Sequence, residues 1–114
     1  MAQIDIFNGD ADGICALTQL RNADPKPSTL ITGVKRDIAL VAKAQVSAGD
    51  KVTALDLSFD KNRDGVVKAL DAGAEVFYVD HHFAGEIPDS DNLTTIIDPD
   101  PNVCTSLLIN GYLE

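Results

Sequence analysis

The only two histidines of this chain follow an aspartate, in the triplet Asp80-His81-His82 of the segment VFYVDHHFAGE. The apolar run before the triplet is typical of a buried strand, which predicts that the triplet lies at the carboxyl end of that strand. Ligands of open α/β sheets bind at this end. Imidazole and carboxylate ligands suit Mn²⁺, with Mg²⁺, Co²⁺ or Zn²⁺ as competitors, although a histidine can also be an ordinary polar residue of a turn. Because neighbouring side chains diverge at a strand end, we expect one histidine to face a metal and the other to face substrate.

Two further aspartates stand one residue apart in Asn8-Gly9-Asp10-Ala11-Asp12-Gly13, where a first strand should turn into a helix. Glycines on both sides let the backbone turn sharply, so both carboxylates could be aimed at one ion. The alternative is structural, since an aspartate at a helix N-terminus satisfies free amides and suits the helix dipole.

Asp56 follows an apolar run in VTALDLS, so its carboxylate is expected directly after a core strand. Burial of this group without a partner would be costly, and a cation is the natural partner. Capping of the next turn is the alternative, although Ser58 and Asp60 stand closer to the next helix start.

The segments NGDADGICAL, ALDLS and VDHHFAGE resemble, in this order, motifs one, two and three of the DHH phosphoesterase superfamily. That superfamily includes RecJ-type single-strand exonucleases, oligoribonucleases, cyclic-dinucleotide phosphodiesterases, exopolyphosphatases and family II inorganic pyrophosphatases. The resemblance implies a metal-dependent hydrolase domain over residues 1–114. Its substrate would be a small phosphorylated molecule, such as a short single-stranded oligonucleotide, a cyclic dinucleotide or a polyphosphate.

The resemblance also implies a site of two Mn²⁺ ions, with Mg²⁺ or Co²⁺ as possible replacements. Asp10 would bind the first ion, Asp12 and His81 would bind the second, and Asp56 would bridge both. A water between the ions would attack phosphorus in line.

Two further residues have implied catalytic roles. His82 would contact the phosphate, and Asp80 would orient its neighbours. Members of the superfamily usually add another aspartate and a smaller C-terminal domain beyond the DHH motif. Neither is recognised in this sequence, so the chain is expected to be a truncated N-terminal domain that could be inactive alone.

Four residues outside the motifs could contact phosphate oxygens. Lys35 and Arg36 follow the second strand, near the same edge of the sheet, and Thr105 and Ser106 open the last helix. Surface solvation of the first pair and ordinary helix capping by the second pair are equally good explanations.

Two alternatives to an enzyme remain open. A degenerate phosphoesterase half could bind metal and phosphate without turnover. A receiver domain of two-component signalling has a similar length, paired acids after strand one and a phosphoacceptor aspartate after strand three, which would be Asp56. Receivers also need a lysine after strand five, where this chain has Asp98-Pro99.

The elements that must position these residues alternate between strand and helix patterns, which predicts an α/β fold with a doubly wound parallel sheet and helices on both faces. The predicted strands are 3–7, 29–32, 51–55, 75–79 and 94–97, in the order 2-1-3-4-5. The predicted helices are Gly13–Asn22 (with Ile14, Leu17 and Leu20 inward), Asp37–Ser47, Lys61–Asp71 with a glycine C-cap at Gly73, and one beginning near Cys104.

Composition limits the possible partners. A chain of 114 residues with 45% apolar content fits one domain, and its net charge of −9 argues against binding duplex DNA or an anionic membrane. No signal peptide or membrane span is recognised, so a cytoplasmic location is expected. Cys15 and Cys104 are accordingly expected to be reduced and partly buried thiols.

Overall fold

The computed structural model describes residues 3–33, 40–41, 44–100 and 102–114, which form one parallel sheet flanked by helices. The elements in chain order are β1 (Gln3–Asn8), α1 (Ala11–Ala23), β2 (Thr29–Gly33), β3 (Lys51–Leu55), α2 (Phe59–Asp71), β4 (Glu75–Asp80), β5 (Leu93–Ile97) and α3 (Thr105–Leu113). The strand order is β2-β1-β3-β4-β5, and every neighbouring pair is parallel. The predicted α/β class and doubly wound order are both confirmed.

The sheet is buried on both faces because alternate residues of its central strands point to opposite sides. On one face, Ile6, Ala54 and Tyr78 pack in the larger core cluster beneath α2. On the other face, Phe7 and Leu55 pack with residues of α1 and α3 in a second cluster. Helices on both faces therefore clamp β1, β3 and β4, the three strands that carry the sequence motifs.

The inward face of α1 differs from the predicted one. Its buried residues are Gly13, Ala16, Leu17 and Leu20, whereas Ile14 is 47% exposed. Successive residues of a helix turn by about 100°, so Ile14 lies to one side of the stripe that contains Gly13, Leu17 and Leu20. No helix among the described residues is both long enough and apolar enough to span a membrane.

Helix α2 ends as the sequence predicts. The backbone N–H of Gly73 donates to the carbonyl of Leu70 at 3.0 Å, and the N–H of Ala74 donates to Ala69 at 3.1 Å. These two bonds form a Schellman motif, in which the residue after the cap adopts a left-handed conformation. Gly73 has a φ of +94°, which glycine adopts without the penalty of a Cβ atom.

The predicted helix Asp37–Ser47 is wrong over its described part. Leu40 and Val41 are buried in the larger core cluster, but Ala44–Ser47 has no regular secondary structure. The N–H of Val41 donates to Oδ1 of Asn62 on α2 at 3.0 Å, so a tertiary contact holds this part of the segment against α2. Apolar spacing in this segment therefore reflects packing on the sheet. The rest of the predicted helix lies outside the described residues.

Both cysteines are free thiols. Cys104 is half-buried at the start of α3, in agreement with the prediction. Cys15 is exposed, so the expectation of partial burial is wrong for this residue. It follows Ile14 on the outer side of α1, away from the stripe that packs on the sheet.

Candidate metal centre

The motif residues meet in a cleft at the carboxyl edge of the sheet. The cleft has a volume of about 490 Å³ and is lined by Asn8, Asp10, Asp12, Asp56, Leu57, Ser58, Lys61, His81 and His82. The cleft lies at the end of β1, which has β2 on one side and β3, followed by β4, on the other. This reversal of strand order is the usual ligand-binding position of a doubly wound sheet.

The first motif forms a tight turn between β1 and α1. Asp10 is the N-cap of α1, and its Oδ1 accepts the N–H of Gly13 at 3.0 Å. A Cβ atom at Gly13 would lie 2.1 Å from the carbonyl oxygen of Asn8, so only glycine permits this close approach. Asp10 therefore does serve as a helix cap, and it also lines the cleft.

Asp12 reaches across to the N-terminus of α3. Its Oδ2 accepts the N–H of Thr105 at 3.0 Å, and its Oδ1 accepts the N–H of Ser106 at 2.8 Å. Partial burial opposes ionisation of Asp12, yet the Ser106 and Thr105 amides lower its pKa below the ordinary value. Asp12 is consequently held as an anion at the wall of the cleft.

Asp56 lies at the floor of the cleft in an unusual backbone conformation. Its φ is +61°, the one positive value among the described non-glycine residues. The side chain is only 2% exposed, and its Oδ1 accepts the hydroxyl of Thr105 at 3.1 Å. A left-handed aspartate costs on the order of 1 kcal/mol, and such strain is concentrated at functional sites.

The turn that carries Asp56 rests on the aromatic core. The hydroxyl of Tyr78 donates to the carbonyl of Leu57 at 2.6 Å, and the rings of Phe59 and Tyr78 meet edge to face at 4.8 Å. The backbone N–H of Asp56 donates to Val79 at 3.0 Å. These contacts fix the strained residue from below.

Burial raises the pKa of Asp56 to about 8, and the neighbouring carboxyl groups of Asp10 and Asp12 contribute to the shift. Nε2 of His81 lies 3.0 Å from Oδ1 of Asp56 and 3.6 Å from Oδ2 of Asp12. One buried carboxyl group is therefore surrounded by two acids and an imidazole, an arrangement that a bound cation would stabilise.

Asp80 and His82 form a second pair beside the first. Nδ1 of His82 lies 2.7 Å from Oδ1 of Asp80, whose side chain is fully buried. Oδ2 of Asp80 has no hydrogen-bond partner within the described part of the chain. Burial raises the pKa of Asp80 above the ordinary value, although the adjacent His82 opposes the shift.

The two imidazole rings lie against each other, with centroids 4.2 Å apart and planes tilted by 35°. The expectation that they diverge is therefore wrong. His81 is the first residue beyond β4, so the alternation of side chains that holds inside a strand no longer applies. Both histidines line the same cleft.

Four of the motif residues could hold a metal ion. Asp56, Asp80, His81 and His82 each offer one ligand atom, and these atoms lie within 4.8 Å of one another. A mixture of carboxylate oxygen and imidazole nitrogen fits Mn²⁺, Zn²⁺ or Co²⁺, and the unpartnered Oδ2 of Asp80 gains a partner if a cation binds.

The predicted ligand set and this group share Asp56 and His81. Asp10 and Asp12, which were also predicted as ligands, line the same cleft but are not members of the tight group. The described residues thus fit one cation in the group that contains Asp56 and His81.

Two of the four residues predicted to contact phosphate, Thr105 and Ser106, donate hydrogen bonds to aspartates of the protein. Thr105 is fully buried and directs its hydroxyl to Asp56, while the Ser106 amide is used by Asp12. Neither residue lines the cleft. The N–H and the hydroxyl of Thr105 already have partners within the protein, and a phosphate contact by Thr105 or Ser106 stays a prediction. Lys35 and Arg36 lie outside the described residues.

Sequence reasoning missed one basic residue of the cleft. Lys61, in the first turn of α2, lines the cleft wall. Its position five residues after Asp56 was the available signal, because the first turn of a helix that follows a strand lies at the same edge of the sheet.

No protein-family model matches this chain, and a search among curated proteins finds no matching protein.

Proposed function

We propose that this chain is a metal-dependent phosphoesterase domain of the DHH superfamily. Its reaction is hydrolysis of a phosphodiester or phosphoanhydride bond in a small substrate, such as a short oligonucleotide, a cyclic dinucleotide or a polyphosphate. Asp10, Asp12, Asp56 and His81 would hold two cations, with Mn²⁺ preferred.

The convergence of three separate segments on one cleft carries this proposal. Asp10 and Asp12 follow β1, Asp56 follows β3, and His81 and His82 follow β4, yet all five line a single cavity. A structural explanation accounts for Asp10 and Asp12 as helix caps. It does not account for a strained and buried Asp56 that shares hydrogen-bonding distance with His81.

Charge supports a cationic occupant. The chain has a net charge of −9, and three of its carboxyl groups meet in the cleft, where Asp10 and Asp12 both interact with Asp56. An anionic phosphate would be repelled from such a cleft unless cations bind first. Two dications at Asp10, Asp12, Asp56 and His81 would reverse the local sign.

The bound ions would supply Lewis acidity, which lowers the pKa of water and offsets the charge on phosphate oxygens. The protein supplies position and protons. With its Nδ1–H donated to Asp80, His82 keeps Nε2 as the remaining ring nitrogen. A protonated His82 can donate from Nε2 to a phosphate oxygen, and the Asp80 carboxylate stabilises that imidazolium.

Isothermal titration calorimetry with Mn²⁺ tests the metal site. We expect the wild-type chain to bind Mn²⁺ and the Asp56→Ala variant to lose at least about a hundredfold in affinity, because a ligand is removed. Asp71→Asn is the matched control, since Asp71 is an exposed aspartate at the far end of α2. Wild-type protein without measurable Mn²⁺ affinity would contradict the proposal.

Hydrolysis of bis(p-nitrophenyl) phosphate with Mn²⁺ separates an enzyme from a binding module. We expect turnover by the wild type, and a loss of about a hundredfold in His82→Ala because a hydrogen bond that stabilises the charge on the phosphate oxygens in the transition state is removed. Binding of Mn²⁺ without turnover of this ester, pyrophosphate or polyphosphate would favour the noncatalytic module. A stable beryllofluoride adduct at Asp56 would favour the receiver.

A further inference from the structure

One threonine of α3 contacts two carboxyl groups of the candidate metal centre. The N–H of Thr105 donates to Oδ2 of Asp12 at 3.0 Å, and its hydroxyl donates to Oδ1 of Asp56 at 3.1 Å. Thr105 is fully buried. These contacts join residues that are 93 and 49 positions apart in sequence. A single residue thereby connects α3 to the first turn of α1 and to the β3–α2 turn.

Helix capping does not explain the position of this hydroxyl. The N-cap of α3 is Cys104, and its side chain makes no capping bond. Asp12 occupies the capping role from another element by accepting the amides of Thr105 and Ser106. The hydroxyl of Thr105 is thus left for Asp56 alone, and its partner is an acid that faces the cleft.

We infer that Thr105 is a positioning residue of the metal centre, an inference that rests on the proposed function. Its two hydrogen bonds hold Asp12 and Asp56 in the orientations in which both line the cleft. Carboxylates that bind metals are normally hydrogen-bonded by outer residues, which fix their orientation before the ion arrives. Two acids held close together repel each other, and the donors of α3 offset part of that cost.

Coupling between cation binding and the docking of α3 follows from this geometry. If an ordered α3 favours cation binding, then a bound cation must favour an ordered α3 by the same free energy. The amides of Thr105 and Ser106 report on this docking directly, because they are bonded to Asp12 only while α3 is in place.

Two substitutions in the full chain test the role of the hydroxyl by calorimetry with Mn²⁺. Thr105→Val keeps the shape and the amide but removes the hydroxyl, and we expect its Mn²⁺ affinity to fall by about 10- to 100-fold. Thr105→Ser keeps the hydroxyl and should restore affinity to within about threefold of the wild type. Thr53→Val is the matched control, since Thr53 is a buried threonine on β3 that bonds Gln3 instead.

A merely structural role predicts a different pattern. In that case Thr105→Val and Thr53→Val would both lower the urea midpoint, and neither would change Mn²⁺ affinity. That result would overturn the inference while leaving the proposed function in place. Wild-type protein that does not bind Mn²⁺ would overturn the proposed function and the inference with it.

Amide hydrogen exchange gives a readout that does not depend on the variants folding. We expect saturating Mn²⁺ to slow exchange at Thr105 and Ser106 in the wild type by about tenfold or more, because undocking of α3 then also costs cation affinity. The amide of Asp24, which bonds Leu20 at the end of α1, serves as the internal reference. Unchanged exchange at Thr105 and Ser106 with Mn²⁺ bound would contradict the coupling.

Discussion

Buried aspartates occur at both edges of the sheet, and their surroundings differ. Asp5 lies near the amino edge on β1 and is fully buried. Arg21 of α1 donates to both of its oxygens, at 2.8 and 3.2 Å, and Gln3 adds a third bond at 2.9 Å. At this edge the chain supplies its own cation, so the charge of Asp5 is compensated within the fold.

The carboxyl edge has no comparable compensation. Within residues 3–33, 40–41, 44–100 and 102–114, no lysine or arginine forms an ion pair with Asp10, Asp12, Asp56 or Asp80. Instead the pKa of Asp56 is raised to about 8, and one oxygen of Asp80 lacks a partner. At the amino edge, Arg21 compensates the buried charge of Asp5. At the carboxyl edge, an external cation would be needed to compensate the buried carboxylates.

Substitution of Arg21 should produce the largest loss of stability. Arg21→Ala leaves Asp5 buried without a cation, which destabilises a protein by about 3–5 kcal/mol. Urea unfolding followed by circular dichroism measures this change. Mn²⁺ affinity should stay near the wild-type value under conditions where the variant is folded, because the cleft lies at the opposite edge.

Lys26→Ala is the control for this variant. Lys26 pairs with Asp24 on the surface at 3.0 Å, and exposed pairs contribute little to stability. Its urea midpoint should equal that of the wild type. If Arg21→Ala were as stable as Lys26→Ala, the buried charge of Asp5 would not depend on Arg21 for compensation.

Neutralising Asp56 should have the opposite sign, because this carboxylate has no internal cation. The folded state holds a proton on Asp56 up to about pH 8, whereas the unfolded chain releases it near 3.8. Without metal, wild-type stability therefore falls as the pH rises through that window. One pH unit within this window corresponds to about 1.4 kcal/mol, so the stability of Asp56→Asn relative to wild type should rise by about 4 kcal/mol between pH 5 and pH 8.

Urea unfolding with a chelator at the two pH values measures this difference. Saturating Mn²⁺ should reverse the order near pH 8, because it stabilises only the chain that binds it. A stability difference that is the same at both pH values would show that the carboxyl group of Asp56 does not titrate between them.

The sequence predicted the position of the motif residues well, for a physical reason. Right-handed crossovers leave few arrangements of five parallel strands, and every arrangement puts the residues after β1, β3 and β4 at one edge. Asp12, Asp56 and His81 meet in one cleft because β1, β3 and β4 are neighbours in the predicted strand order. Their metal-binding and catalytic roles remain predictions.

Contacts between distant elements could not be predicted in the same way. The bond from Ser106 to Asp12 spans 94 residues, and it depends on how α3 packs against α1. Arg21 meets Asp5 because one turn of α1 happens to lie over that position of β1. The spacing of apolar residues in Asp37–Ser47 also fits a helix, although Ala44–Ser47 is irregular. Periodicity reports which residues are buried, and tertiary packing decides the backbone.

We expect the smallest effect on stability at Asp80, a buried carboxyl group of the carboxyl edge that has His82 as its neighbour. Asp80→Asn keeps an oxygen that can accept the Nδ1–H of His82 and removes a charge that burial disfavours, so the free energy of unfolding should change by less than about 1 kcal/mol. Hydrolysis of a phosphodiester should nevertheless fall by about tenfold, since a neutral amide no longer stabilises a protonated His82.

Urea unfolding and steady-state kinetics with Mn²⁺ separate the two quantities, and Asp71→Asn again controls for the substitution itself. If Asp80→Asn were strongly destabilised while its rate constant stayed unchanged, Asp80 would belong with Asp5 as a structural carboxylate. A rate loss without a stability loss would instead assign Asp80 to the chemistry of the cleft.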